Sequence, residues 1–175
     1  MDDVAEKISL VLNGDLATAI AFATHGGEGY FNLLADTTVD IDMVVSGAME
    51  SFWSSVASNI QETGRIDLLG CTVAGGDGEA FILALEEVTG RFVAASEDLT
   101  GDSDQGGDWE LERGDIILAG TYFVEDELEG WEGILEEAYS LNTAFQPEVE
   151  NYDITASTEQ RVGADGTSYN VNSNV

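Results

Sequence analysis

Positively charged residues are scarce in this sequence. Only 5 of its 175 residues are Lys or Arg, against 35 Asp or Glu, so the formal net charge is -30. Proteins that bind nucleic acid or an anionic membrane surface do so largely through basic patches, and this chain has too few basic residues to form one. We therefore expect no nucleic-acid partner. An acidic surface keeps a protein dispersed in salt, and it can also attract divalent cations or basic peptides.

Cysteine and long apolar runs are scarce as well. The single Cys cannot form an intramolecular disulfide, so the fold does not require an oxidising compartment. No stretch reaches the ~20 apolar residues of a membrane span, and the amino terminus is too acidic for a classical secretory signal. We expect no membrane insertion, and both an extracellular and a cytoplasmic location stay open.

The apolar pattern that is present predicts an α/β domain. Short apolar runs at 17–24, 66–69 and 92–95 are typical of buried strands, and the 3.6-residue periodicity at 42–62 and 79–89 is typical of helices. The last two runs and the helix between them form a βαβ unit, which makes its two strands parallel. We therefore expect a mostly parallel sheet in a three-layer α/β/α arrangement.

The two ends of the domain are also predicted from the pattern. A helix precedes the run at 17–24, so we expect the sheet to lack its first strand or strands. A hairpin with its turn at 113–115 adds antiparallel strands at one edge. The domain is expected to span residues 1–137. Few large apolar residues follow, so 138–175 is a linker or the truncated start of a β-rich segment.

His25 and Cys71 are the only His and the only Cys of the chain. Each follows a predicted strand and is flanked by Gly, so both are expected at the carboxyl edge of the sheet. A cysteine nucleophile needs a proton carrier such as imidazole, and the backbone N–H groups of Gly26 and Cys71 could hold an oxyanion. The sequence therefore predicts a Cys71/His25 dyad. The alternative is that Cys71 is a small core residue, which is the usual role of a buried cysteine.

A second candidate site is the acidic turn after the third strand. Asp102, Asp104 and Asp108 alternate with small and polar residues, a pattern that can wrap Ca²⁺. The loop lacks the twelfth-position Glu of an EF-hand, because that position is Arg113. The alternative is a solvated turn. No cofactor is required for the dyad, and Ca²⁺ is the one candidate ion.

Four stretches together resemble one family of bacterial domains of unknown function: HGG at 25–27, DLLGCTVAG at 67–75, VAASEDLTG at 93–101 and GGDWELE at 106–112. The resemblance covers about residues 1–137. Members of that family usually stand near the amino termini of large, acidic, repeat-bearing secreted or surface proteins, and the family looks like a relative of the caspase and gingipain type of cysteine peptidase.

The resemblance implies a caspase-like fold and a cysteine endopeptidase that acts on a peptide or protein substrate. Cys71 would be the nucleophile and His25 the acid/base. Ser96 and Asp98 would line the pocket for the residue before the scissile bond, where an acidic Asp98 favours Arg or Lys. It also implies an extracellular or cell-surface location and further domains of a larger protein. The alternative is a non-catalytic module of an adhesin-like surface protein.

Overall fold

A computed structural model of the protein describes residues 2–34, 37–128, 130–135, 158–162 and 168–172. The chain divides into two compact units, Met1–Glu137 and Ala138–Val175. The helices and strands of the first unit, in chain order, are α1 (Asp2–Leu12), β1 (Ala17–Ala23), β2 (Gly26–Gly27), β3 (Tyr30–Leu34), β4 (Thr37–Asp40), α2 (Ile41–Val45), α3 (Glu50–Ser58), β5 (Ile60–Leu69), α4 (Gly78–Thr89), β6 (Phe92–Ala95), a 3₁₀ turn (Ser103–Gln105), β7 (Glu110–Leu111), β8 (Ile116–Ile117) and α5 (Glu125–Leu128).

A parallel sheet with the strand order β1-β5-β6 forms the centre of the first unit. In its register Ala23 lies beside Leu69, and Leu68 lies beside Ala95. A separate antiparallel sheet, β2-β3-β4, follows His25. The α/β class predicted from the sequence is confirmed. Among the described strands, β1 pairs only with β5 and so stands at an edge of the parallel sheet.

The two faces of the parallel sheet are covered differently. Side chains alternate along each strand, so Ile66 and Leu68 point to one face and Leu69 points to the other. Residues of α1 to α4 pack on the first face. On the second face, within the described residues, the covering layer is the β7–β8 hairpin and the turn that follows it, where the three-layer prediction has helices.

The predicted helix at 42–62 is wrong in its extent. The structure has two shorter helices, α2 and α3, separated by a turn in which Gly47 adopts a φ of +74°, a conformation that few other residues tolerate. The second helix ends at Ser58, and Ile60 already belongs to β5, where it pairs with Ala17 and is buried. Burial in the sheet outweighs the helical periodicity at these last residues.

The hairpin forms, and it is shorter than expected. β7 and β8 pair antiparallel as a two-stranded sheet, which the Ala95–Arg113 bridge joins to the edge of β6. The apolar run that follows the turn, at 116–123, predicts a second arm that continues to Phe123. It ends at Ile117 because the next residue, Leu118, begins a turn in which its carbonyl accepts several N–H bonds.

The second unit contains an antiparallel pair of strands, β9 (Thr158–Val162) and β10 (Ser168–Asn172). The rest of the tail, where we expect a linker or the start of a β-rich segment, lies outside the described residues. Among the helices that the structure describes, none has the length and apolar character needed to cross a lipid bilayer.

Candidate functional site

The segments that carry His25 and Cys71 leave the parallel sheet side by side. β1 and β5 are neighbours, and the pairing continues past the end of β1, where the Thr24 N–H donates to the Leu69 carbonyl at 3.1 Å. His25 follows directly on one segment, and Cys71 comes two residues later on the other. The sheet edge predicted from the sequence therefore holds both residues.

Two glycines allow this close approach. A Cβ on Gly26 would lie 2.5 Å from Cγ2 of Val73 and 3.2 Å from the Cys71 carbonyl oxygen. A Cβ on Gly70 would lie 3.0 Å from the Thr24 carbonyl oxygen. Both distances to backbone atoms are shorter than ordinary contacts, so these positions favour Gly and bring the two main chains together.

The backbone N–H groups of Gly26 and Cys71 converge on one oxygen atom. Both donate to the carbonyl of Leu135, from 3.3 Å and 3.2 Å. Two backbone amides from different segments of the chain that meet at a single carbonyl oxygen have the arrangement of an oxyanion hole. The two amides are those that the sequence analysis nominated, and the carbonyl that they hold belongs to the chain itself.

Leu135 belongs to the segment 131–135, which we name the strap. Its N–H donates to the Thr100 carbonyl at 2.8 Å, and the Asp102 N–H donates to the Gly133 carbonyl at 2.7 Å. Ile134 and Gly101 form an antiparallel bridge between these bonds. The strap therefore lies along residues 100–102 as a short antiparallel strand.

The Cys71 side chain is fully buried, with 0% of its surface exposed. The Thr100 N–H donates to Sγ at 3.3 Å, and the Cys71 thiol donates to the Thr100 carbonyl oxygen at 3.6 Å. The N–H group favours negative charge on the sulfur, which is the form in which cysteine attacks, whereas the carbonyl favours the protonated thiol. Thr100 thus contacts both the sulfur and the strap.

One ring nitrogen of His25, Nδ1, is buried. It makes no hydrogen bond with the residues that the structure describes. The backbone of the same residue is fixed, because its carbonyl accepts the Asn32 N–H at 2.9 Å. A histidine whose backbone is fixed and whose ring nitrogen makes no hydrogen bond within the domain is suited to carry a proton to or from a substrate.

The comparison with protein families bears on the same residues. The family model described as a domain of unknown function, DUF4347, matches residues 1–135. The chain belongs to this family. No curated protein and no solved structure matches the chain. All the residues that form the site of this DUF4347 domain lie within the matched range.

The two predicted substrate-binding residues shape the loop beside Cys71. Ser96 is buried, and its hydroxyl donates to the Asp98 carbonyl at 3.0 Å and accepts the Asp98 N–H at 3.2 Å. The carbonyls of Ser96 and Asp98 in turn accept the N–H groups of Ala74 and Thr72. These bonds hold the DUF4347 loop after Cys71, and a role in binding substrate stays a prediction.

The Asp98 carboxylate belongs to an acidic group. One of its oxygens, one of Asp108 and one of Glu112 lie within 4.8 Å of one another. A small loss of hydration at this exposed carboxyl, followed by the negative charges of Glu112 and Asp108, raises the pKa of Asp98 above its ordinary value. Repulsion between these carboxylates is the physical reason for the second effect.

The three predicted calcium ligands do not lie in one group in the structure. Of Asp102, Asp104 and Asp108, only Asp108 belongs to the acidic group. The Asp102 carboxylate instead caps the 3₁₀ turn by accepting the Asp104 N–H at 3.0 Å. The carboxylates provide oxygen ligands of the kind that Ca²⁺ prefers, and a calcium site in this DUF4347 domain stays a prediction.

Two residues of the site, Thr100 and Leu135, escaped the sequence analysis. Both act through backbone atoms, which every residue offers, so their side chains carried no chemical signal. The one available indication was position: Thr100 follows β6 at the same sheet edge as Cys71. Nothing in the sequence around Leu135 indicated that its carbonyl lies between two amides.

Proposed function

We propose that the DUF4347 domain of this chain is a cysteine endopeptidase related to the caspase and gingipain type. Cys71 is the nucleophile and His25 is the proton carrier. The observation that carries the proposal is the convergence of the Gly26 and Cys71 N–H groups on one carbonyl oxygen, at 3.3 Å and 3.2 Å, beside the only Cys and the only His of the chain.

The mechanism follows from these groups. His25 takes the proton of the Cys71 thiol, and the sulfur attacks the carbonyl carbon of a peptide bond. The N–H groups of Gly26 and Cys71 stabilise the negative charge on its oxygen. His25 donates a proton to the departing amine, the carbon–nitrogen bond breaks and a thioester remains. Water then attacks the thioester, with His25 accepting its proton, and releases the new carboxylate and the Cys71 thiol.

A non-catalytic module is the second candidate, and one observation favours it. Cys71 is completely buried, as a cysteine that only fills space would be. Such a module would need neither His25 nor an open cleft. The two candidates therefore differ in whether Cys71 reacts once the strap is displaced.

Labelling with peptidyl ketones that carry Leu, Arg or Asp before the ketone tests the proposal. The assay uses the intact chain and a Leu135→Pro variant, which lacks the N–H that binds Thr100 and so releases the strap. We expect the electrophile to modify Cys71 in Leu135→Pro. Replacing His25 by Ala in that variant should slow the labelling by about a hundredfold or more.

Two controls make the labelling decisive. Cys71→Ala in the Leu135→Pro chain should take up no label, and melting curves must show that every variant is folded. Iodoacetamide measures simple access to the thiol. If iodoacetamide reacts with Cys71 in Leu135→Pro while no peptidyl ketone does, or if the loss of His25 changes nothing, the non-catalytic module is the better description.

For the setting, we propose a secreted or cell-surface protein in which this domain is joined to others. The acidic composition supports this, because a net charge of -30 keeps a protein dispersed in saline surroundings. Fractionation of the producing cells, with antibodies against the domain, tests the location. Recovery of the domain from the cytoplasm alone would contradict it.

A further inference from the structure

The strap is bound in the manner of a peptide. In antiparallel pairing, hydrogen-bonded residues alternate with residues that make no bonds to the partner strand. Here the bonds are made by Leu135 and Gly133, to Thr100 and Asp102, and Ile134 lies between them. The pairing therefore fixes which residue reaches the two amides of the site, and that residue is Leu135.

Both sides of the Leu135 residue are held. Its N–H is bonded to the Thr100 carbonyl at 2.8 Å, and its own carbonyl accepts the N–H groups of Gly26 and Cys71. The Cys71 sulfur lies 3.6 Å from that same Thr100 carbonyl oxygen. These contacts therefore hold the Leu135 carbonyl group at the backbone N–H of the proposed nucleophile, Cys71.

The side chain of Leu135 indicates the specificity of the cleft. It is half-buried and packs against a cluster of apolar residues on the second face of the sheet, namely Leu69, Ala94, Leu111 and Leu118. Asp98, which was expected to favour Arg or Lys, is exposed, and its carboxylate lies with those of Asp108 and Glu112. An apolar pocket accepts an aliphatic side chain and disfavours a charged one.

We propose that the domain cleaves its own chain between Leu135 and Glu136, and that it selects an aliphatic residue before the scissile bond. The inference rests on the proposed function. His25 takes the Cys71 thiol proton as the sulfur bonds to the Leu135 carbonyl carbon. The bond to the Glu136 nitrogen then breaks, and that nitrogen takes the proton from His25. One water molecule then hydrolyses the thioester, so the products together weigh one water more than the intact chain.

Intact-mass spectrometry of the purified full chain during incubation tests this directly. We expect a product that ends at Leu135 and a product that begins at Glu136, formed at a rate that does not depend on protein concentration. Cys71→Ala should remain whole. Leu135→Met should still be cleaved, whereas Leu135→Asp should slow cleavage by about tenfold or more, because a charge must enter an apolar pocket.

Ile134→Asn is the matched control for the strap. Successive side chains of an extended segment point in opposite directions, so this change leaves the Leu135 pocket intact. Cleavage of Ile134→Asn near the wild-type rate, together with loss in Leu135→Asp, supports the specificity. Equal losses in both variants, or cleavage at another bond, would overturn it.

The labelling of the Leu135→Pro variant separates this inference from the proposed function. If Cys71 is labelled in a His25-dependent manner and the wild-type chain stays whole, the peptidase stands and self-cleavage is wrong; the strap then only blocks the cleft. If a peptide with Arg reacts faster than one with Leu, the aliphatic preference is wrong. If neither labelling nor cleavage occurs, both proposals fail.

Discussion

The two faces of the parallel sheet have different interiors. The helix-covered face holds a large core in which five aromatic rings pack with centroids 4.9 to 6.4 Å apart: Phe22, Phe31, Phe52, Trp53 and Phe81. Within the part of the chain that the structure describes, the cluster on the hairpin-covered face has four buried apolar residues. It also buries a charge, because Asp67 is fully buried and bonds to Arg65 and Tyr122.

We infer from this difference that one face of the sheet provides most of the stability of the domain, and that the other face carries part of the proposed site. The free energy of folding comes mainly from apolar burial, so the helix-covered face supplies most of it. The hairpin-covered face contributes less apolar area and holds the side chain of Leu135. A segment held by a small cluster and a few backbone hydrogen bonds can be displaced while the rest of the domain stays folded.

The largest effect is expected for a tryptophan on the helix-covered face. Trp53 is fully buried, and Trp53→Ala should lower the free energy of unfolding by about 3–5 kcal/mol in urea titrations, because it leaves a large cavity. Trp131, in the strap, is only half-buried, so Trp131→Ala should cost less than half as much. A larger loss for Trp131→Ala would show that the strap belongs to the main core.

A smaller effect is expected at the buried charge. The Tyr122 hydroxyl donates a hydrogen bond to Asp67, and Tyr122→Phe removes it, which should cost about 1–3 kcal/mol. Burial, and then this bond to Asp67, raises the pKa of Tyr122 above its ordinary 10.0. The protonated hydroxyl is therefore favoured in the folded state. Its contribution is complete below about pH 10 and is lost as the pH rises further.

Unfolding measurements at about pH 8 and about pH 11 check the sign of this effect. The difference in stability between wild type and Tyr122→Phe should shrink at the higher pH. A difference that stays constant would mean that Tyr122 does not titrate against Asp67. A difference that grows would mean that the ionised form is favoured, contrary to the geometry.

The regular elements were predictable because their signals are local. The apolar face of α4 and the Gly90 at its end gave a helix within one residue of the observed Gly78–Thr89, and β6 matches its predicted bounds. The prediction of one long helix at 42–62 is wrong at Gly47, where a turn divides it, and at Ile60, which belongs to β5. There the turn conformation and the burial of one side chain in the sheet, neither of which is visible in periodicity, decide the structure.

Only the site residues that belong to rare residue types could be predicted from the sequence. His25 and Cys71 drew attention because each occurs once and stands beside Gly at a strand end. Thr100 and Leu135 contribute a carbonyl, an N–H or both, and these groups are common to nearly all residues. Their roles follow from where the chain returns in space, which the pairing of distant segments determines.

The smallest effect is expected for the acidic group of Asp98, Asp108 and Glu112, which lies at the surface. Substitutions in this group also test whether the hairpin side of the domain binds a cation. A small loss of hydration and the neighbouring charges raise the pKa of Asp98 above 3.8, so the protonated carboxyl is favoured in the folded state. This contribution to stability is complete below about pH 3.8 and is lost as the pH rises through the higher pKa of the folded state. At neutral pH the three carboxylates repel one another. Asp98→Asn should therefore raise the melting temperature slightly, and less at high salt, where exposed charges are screened.

Calcium turns this variant into a test of the predicted metal site. If Ca²⁺ binds the acidic group, it should raise the melting temperature of wild type and of Asp104→Asn, but much less that of Asp98→Asn. Asp104 is exposed and stands outside the group, so it is the matched control. If Asp104→Asn instead loses the response, the ligands are those predicted from the sequence, Asp102, Asp104 and Asp108. If Ca²⁺ changes none of the three melting temperatures, the acidic residues serve only to solvate the loop.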